Sequence, residues 1–169
     1  NQDIKNFLEC LHRKSHQMIR LVTADNSSVF TNFGTNTYII GEHDLVIIDP
    51  GPNLSSHFEN IRLVVGSANV SHIVLTHSHQ DHCSLAIKLA REYGSKIYLN
   101  NNLKLNKNDL FKRIQGDSSI AEVDAKLTNQ VQIRSVNDYE EIFNDEWCLE
   151  VITTPGHMFD HICLALKNT

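Results

Sequence analysis

An apolar run, Ile73-Val74-Leu75, leads directly into Thr76-His77-Ser78-His79-Gln80-Asp81-His82-Cys83. Three imidazoles and a carboxylate within six residues need a rigid mount, and a strand ending in a polar loop supplies one. Neutral imidazole and carboxylate are the donors that zinc and neighbouring divalent metals accept. His77 and His79 stand two apart, so an extended or turning backbone can aim both at one ion. The alternative is a solvated polar loop. The ordered His-x-His-x-Asp-His spacing at a strand end argues against it.

The order of elements around this loop points to a layered α/β fold. Gln17 to Ala24 and Thr37 to Ile40 alternate as strands, with Asp25-Asn26-Ser27-Ser28 as a turn between them. Leu45 to Ile48 is an almost wholly apolar strand, which predicts burial on both faces, and Asp49-Pro50-Gly51-Pro52 stops it. Ser56 and Glu59 have capping-box spacing ahead of a helix whose stripe is Phe58, Ile61, Val64 and Val65, with Gly66 closing it. After strand Ser71 to Leu75 comes a helix with Leu85, Ala86, Leu89, Ala90 and Tyr93 inward, ended by Gly94. Lys96 to Leu99 is a further strand, and strand–helix–strand–helix–strand implies α/β layers. A short helix over Asp3 to Leu11 is also expected.

Asn100 to Val136 lacks a clear period and reads as a long surface excursion with one short helix near Leu110. Lys104, Lys107, Lys112 and Arg113 make it locally positive. A solvated face is the first reading, and an RNA-backbone contact competes with it. Gln130 to Arg134 and Trp147 to Thr153 read as strands around a turn, and Ile162 to Leu166 as the last strand.

Composition narrows the function classes. At 169 residues one domain is expected, and 41% hydrophobic residues can build a core. A formal net charge of −5 gives no general pull towards nucleic acid or anionic lipid. Cys10, Cys83, Cys148 and Cys163 are scattered without a Cys-x-x-Cys pair and read as reduced thiols of a cytoplasmic protein. No apolar run approaches the ~20 residues that span a bilayer, and no signal peptide is visible, although residue 1 is Asn rather than Met.

The histidine stretch resembles the His-x-His-x-Asp-His signature of the metallo-β-lactamase fold superfamily of hydrolases. Val46-Ile47-Ile48-Asp49-Pro50-Gly51-Pro52 and Thr154-Pro155-Gly156-His157 agree with it in the family's order, from about Gly34 to the end of the chain. Gly34-Thr35-Asn36-Thr37-Tyr38 and the Asp160-His161 that follows His157 most resemble the lactamase-beta-2-like branch, which holds bacterial hydrolases and a eukaryotic endoribonuclease.

The resemblance implies a four-layer αββα sandwich built from two similar halves. It implies a first metal site of His77, His79 and His157, leaving one position open for water. Asp81 and His82 would face a second ion. Zinc is the expected metal, up to two ions in the complete enzyme, with Mn or Fe as substitutes. Metal-bound water, its pKa lowered to about 7, would attack an ester, thioester, amide or phosphodiester centre, with the metals stabilising the charge on the substrate oxygen. Asp81 is the candidate catalytic residue, whether it ligates, orients the nucleophile or carries a proton to the leaving group. In the family the residue matching Asp49 supports the ligands from behind. A turn Asp bonding its own backbone is the equal alternative.

The remaining chemistry-bearing residues get blander expectations. His161 is expected to pack or hydrogen-bond at the strand start rather than join the site, and Cys83 to be a small buried residue at a helix start. His12, His16, His43, His57 and His72 lack partner spacing and read as surface residues. Met18, Phe58 and Trp147 are core candidates.

The chain departs from the family pattern at its end. The family's bridging Asp, usually in a Gly-Asp pair, and its final His would follow beyond Lys167-Asn168-Thr169. Residues 1–169 therefore resemble a partial domain, the first half of the fold and the start of the second. The expectation is weakened metal retention at the second position, little catalysis from these residues alone, and an apolar sheet face exposed unless another chain covers it, a homo-oligomer being one cover. The leading function is a metal-dependent hydrolase acting on a small-molecule ester or thioester, with RNA as the competing substrate and no membrane partner. The other class is a non-catalytic binding or assembly protein that retains the fold.

Overall fold

The computed structural model describes residues 19–102, 104–115 and 130–167. The helix expected over Asp3 to Leu11, together with Cys10, His12, His16 and Met18, lies outside them. The described residues build a six-stranded sheet in the order β1 (Ile19–Thr23), β2 (Asn36–Ile40), β3 (Asp44–Ile48), β4 (Asn69–Val74), β5 (Lys96–Leu99), β6 (Gln132–Ser135), and a three-stranded sheet of β7 (Glu141–Phe143), β8 (Cys148–Thr153) and β9 (Ile162–Lys167). β1–β3 pair antiparallel and β3–β6 pair parallel. The second sheet is antiparallel throughout.

β3 shows why the layers stack as they do. Leu45, Val46, Ile47 and Ile48 are all buried. Successive side chains point to opposite faces of a strand, so Leu45 and Ile47 join one core while Val46 and Ile48 join another. The first core lies under the helices α1 (Ser55–Val65), α3 (Ala86–Tyr93) and α4 (Lys107–Gln115), with Phe58, Ile61, Leu89 and Phe111 packed on the sheet. The second lies between the sheets, around a fully buried Trp147 that also donates Nε1–H to the Asp44 carbonyl at 2.7 Å. Burial of each such side chain is worth about 1.5–3 kcal/mol. The described chain is thus three layers, helices, sheet and sheet, in the α/β class expected.

Several local expectations need correction. α1 has Leu54 at its N-cap and no side-chain cap bond, so the Ser56 and Glu59 capping box does not form. Asn100 to Val136 is no surface excursion in its described parts: Leu110, Phe111 and Ile114 of α4 are buried. Gln132–Ser135 does not turn back on the strand at Trp147; it pairs parallel with β5, and β8 takes β7 and β9 as neighbours. A short parallel edge strand has a non-local partner that composition does not reveal.

Between the sheets a groove of about 320 Å³ lies open, lined by Ile19, Tyr38, Ile40 and Ile48 on one side and Leu149, Leu164 and Leu166 on the other, with Asp49 and Thr76 at its end. Among the described residues no helix is long and apolar enough to cross a membrane.

Candidate metal centre

β3 and β4 run parallel and finish side by side, with Ile48 opposite Val74. Their carboxyl ends therefore release two loops at one place, the usual position for ligand sites in parallel sheets. Asp49–Pro52 is one loop. Leu75 to His79 is the other, running into the short helix α2 (Gln80–Cys83). A third loop, Thr154 to His161, joins β8 to β9 and is tied in by the Ile162 amide, which donates to the Thr76 carbonyl at 2.8 Å. Three chain segments far apart in sequence thus meet at Thr76.

Their imidazoles converge. His77 Nε2 lies 3.1 Å from His79 Nδ1, and His157 Nε2 lies 3.0 Å from the same atom. Tetrahedral zinc, with Zn–N of about 2.0–2.1 Å, needs its nitrogens roughly 3.3 Å apart. Both distances to His79 Nδ1 are close to that requirement, and the three nitrogens all lie within 4.8 Å of one another. His77 is buried, His79 half-buried and His157 exposed, so the cluster is open on one side.

Asp49 organises the floor. Its Oδ1 accepts from the Thr76 amide at 2.7 Å, and its Oδ2 accepts from Thr76 Oγ1 at 2.6 Å and from His82 Nδ1 at 3.0 Å. Because the Thr76 hydroxyl gives its one proton to Asp49, it can only accept from His77 Nδ1, 3.0 Å away. The hydrogen-bond pattern therefore assigns the Nδ1–H tautomer to both His77 and His82, leaving each Nε2 lone pair free. Asp49 sits with His77 and His82 in a group spaced for a metal. Its oxygens already have three donors, which fits a residue that orients ligands better than one that binds the ion. It also adopts φ +49°, a backbone state that Asp tolerates better than most residues.

Asp81 and His82 form the second pair, with His82 Nε2 3.5 Å from Asp81 Oδ2. That carboxylate also accepts from Thr35 Oγ1 at 3.2 Å. Burial, then the charge of His82, depresses the His77 pKa to about 4, keeping the ring neutral as a ligand must be. Burial opposes charge on His82 too, but the hydrogen bond and charge of Asp49, with Asp81, outweigh it and hold that pKa above the ordinary histidine value.

The structure brings all six expected residues, Asp49, His77, His79, Asp81, His82 and His157, to this one place. His161 bonds at the strand start as expected, Nδ1 to Thr154 Oγ1 at 2.8 Å, and its ring also comes within 5.1 Å of the His77 ring. Cys83 is buried at the helix, as expected. His57 and His72 are not surface residues. His57 is buried against Thr37, Nε2 to Oγ1 at 2.9 Å, beside Gly51, where a Cβ would come within 2.7 Å of the ring. His72 is half-buried, stacked on Tyr98 and edge-on to Trp147. Nor is Arg113 part of a solvated face: it donates to Ser78. Thr76 had a visible signal in its place between the strand and His77. The contacts Thr35–Asp81 and Arg113–Ser78 had none, because only folding makes those pairs neighbours.

A family model described as the metallo-beta-lactamase superfamily matches residues 30–169. The beta-lactamase-like protein 2 homolog of Caenorhabditis elegans is 28% identical over 169 residues, covering 95% of this chain and 50% of that protein. The atrochrysone carboxyl ACP thioesterase dmxR1 of a Cryptosporiopsis species is 29% identical over 165 residues, covering 95% of this chain and 43% of that protein. The crystal structure of ETHE1 from Myxococcus xanthus superposes with a TM-score of 0.57 at 22% identity, covering 88% of this chain and 53% of that one, a likeness of fold. The chain spans about half the length of the relatives it matches.

Proposed function

The chain belongs to the metallo-beta-lactamase superfamily, and we propose that it is the metal-holding part of a zinc-dependent hydrolase that cleaves ester or thioester bonds. The observation that carries this reading is the convergence of His77 Nε2 and His157 Nε2 on His79 Nδ1 at 3.0–3.1 Å. Three imidazole nitrogens so close have little reason to meet unless a cation accepts them. Zinc bound there would supply a water acidified to a pKa of about 7, and so a nucleophile at neutral pH.

The chain's own residues do the rest. His77, His79 and His157 hold the first ion, and Asp81 with His82 offers donors for a second. Asp49 fixes the tautomers of His77 and His82. Asp81, half-buried beside the open side of the cluster, is placed to orient the nucleophile or take a proton from it. A thioester is favoured over a phosphodiester because a relative at 29% identity is named an acyl-carrier-protein thioesterase, and because Arg113 is already engaged with Ser78 rather than free for a phosphate backbone. The non-catalytic reading has against it an intact three-histidine cluster.

The test is metal content by mass spectrometry on this chain and on its His77→Ala variant, with thioester and ester hydrolysis followed in the full-length protein. Bound zinc in the parent, lost in the variant, together with hydrolysis that chelation abolishes, is the expected result. A parent chain that takes up no zinc, or hydrolysis indifferent to chelation, overturns the reading.

A further inference from the structure

α4 contributes no histidine to the cluster, yet one of its side chains reaches both of the loops that do. Arg113 Nε donates to Ser78 Oγ, between His77 and His79 in the chain. Arg113 Nη2 lies 3.9 Å from Asp160 Oδ2, in the loop that carries His157. The Arg113 carbonyl accepts from Gln80 Nε2 at 2.8 Å, fixing the start of α2. Cys83 Sγ reaches the next carbonyl, that of Ile114, at 3.4 Å. One turn of α4 thus holds the His77–His79 loop at one point, the α2 that follows it at two, and the His157 loop at one.

Asp160 is the reason this contact matters. It is only 4% exposed, and its Oδ1 has no partner among the described residues. A buried carboxylate needs a compensating cation. Arg113 is that cation, and both groups border a cavity of about 10 Å³, room for one water, lined also by Leu75, His77, Leu99 and Ile114. A planar guanidinium can donate to Ser78 and face the carboxylate at once, whereas an ammonium acts as a point charge.

We infer that Arg113 is a positioning residue that joins the His77–His79 loop to the His157 loop and so assembles the three-histidine cluster before any metal arrives. The inference rests on the metal-centre reading for its consequence, but its structural core, one side chain holding two loops, is independent of it.

The experiment compares the parent chain with Arg113→Met, which keeps the apolar stem, Arg113→Lys, and Lys112→Met as a neighbouring control. In the metal-free proteins, amide hydrogen exchange is read at Ser78–Gln80 and at Gly156–His161. Arg113→Met is expected to accelerate both segments about tenfold or more while helical circular dichroism is retained; the control leaves both unchanged. Cobalt(II) titration then follows the visible absorption band. The expected result is about tenfold weaker binding and a shifted band in Arg113→Met, with only partial recovery in Arg113→Lys. Unchanged exchange in both loops overturns the inference, as does full recovery of both readouts by lysine. If the parent itself binds no cobalt, the metal-centre reading fails while the exchange data still decide whether Arg113 holds the loops.

Discussion

His82 Nδ1 and Asp49 Oδ2 lie 3.0 Å apart, and the same carboxylate reaches His77 through the hydroxyl of Thr76. One buried acid at the end of β3 therefore sets the orientation of two imidazoles that belong to different halves of the donor set. Nothing in the ligands themselves would keep each Nε2 turned towards the open side.

Asp49→Asn is the sharpest probe of that arrangement. Its amide oxygen can replace only one of the two carboxylate oxygens, so its NH₂ must face either the Thr76 amide N–H or both the Thr76 hydroxyl and the His82 N–H. We expect metal affinity to fall about 10- to 100-fold and the metal-free protein to lose about 1–3 kcal/mol. Metal titration and denaturant unfolding read the two effects. Parent-like values in both would mean that Asp49 is a turn residue and nothing more.

Cys83 borders the candidate ligands yet is predicted to be inert. Burial, then the negative field of Asp49, Asp160 and Asp81, pushes its thiol pKa up to about 12. At pH 8 only about one molecule in ten thousand carries the thiolate that alkylating agents require. Brief iodoacetamide treatment of the native protein should mark exposed Cys163 and spare Cys83, as peptide mass spectrometry will show. Equal labelling would place Cys83 in an open or reactive setting that this structure does not contain.

How far the sequence could be read followed the range of the interactions involved. The apolar run Leu45 to Ile48 announced a strand buried on two faces because both demands fall on four adjacent residues. The histidine stretch announced itself for the same reason. The helix near Leu110 was legible as α4, but its burial was not, since its three buried side chains, Leu110, Phe111 and Ile114, are set among Lys107, Asp109, Lys112 and Arg113, and the average is polar. β7 is three residues long and owes its existence to β8. His57 sits one turn before Ile61 and so on the buried stripe of α1, but a lone polar residue there gives no local sign that Thr37 will meet it.

Gly34 is expected to be irreplaceable for a backbone reason. Its φ is +132°, and a Cβ would come 1.9 Å from the Ala24 carbonyl oxygen, a clash with main chain that no rotamer relieves. The next residue, Thr35, holds Asp81. Gly34→Ala should cost about 2–4 kcal/mol in denaturant unfolding. Gly156→Ala, where a Cβ meets nothing within 4 Å, should stay within about 0.5 kcal/mol of the parent. Similar losses at both positions would contradict the packing described for the Gly34 turn.

His57 should make stability depend on pH in a direction that can be worked out. Thr37 gives its hydroxyl proton to the Asp49 carbonyl at 2.7 Å, so towards His57 it can only accept, and the ring bears its proton on Nε2. Burial lowers the His57 pKa, and the Pro50 carbonyl offsets this only in part. The unfolded chain, by contrast, takes up a proton near the ordinary value of about 6.5. As pH falls below that value the unfolded state binds a proton that the folded state refuses, so the stabilisation present at neutral pH is lost, by at most about 1.4 kcal/mol per pH unit for this one group. His72 and His77 are shifted the same way and His82 the opposite way, so the parent curve alone is a mixture. The difference curve is not. His57→Gln keeps a donor for Thr37 but cannot titrate, and its stability deficit relative to the parent should shrink steadily from pH 7 to pH 5. Two unfolding curves that stay parallel over that interval would show that His57 titrates normally, and hence that it is not the buried support beneath the Asp49 loop.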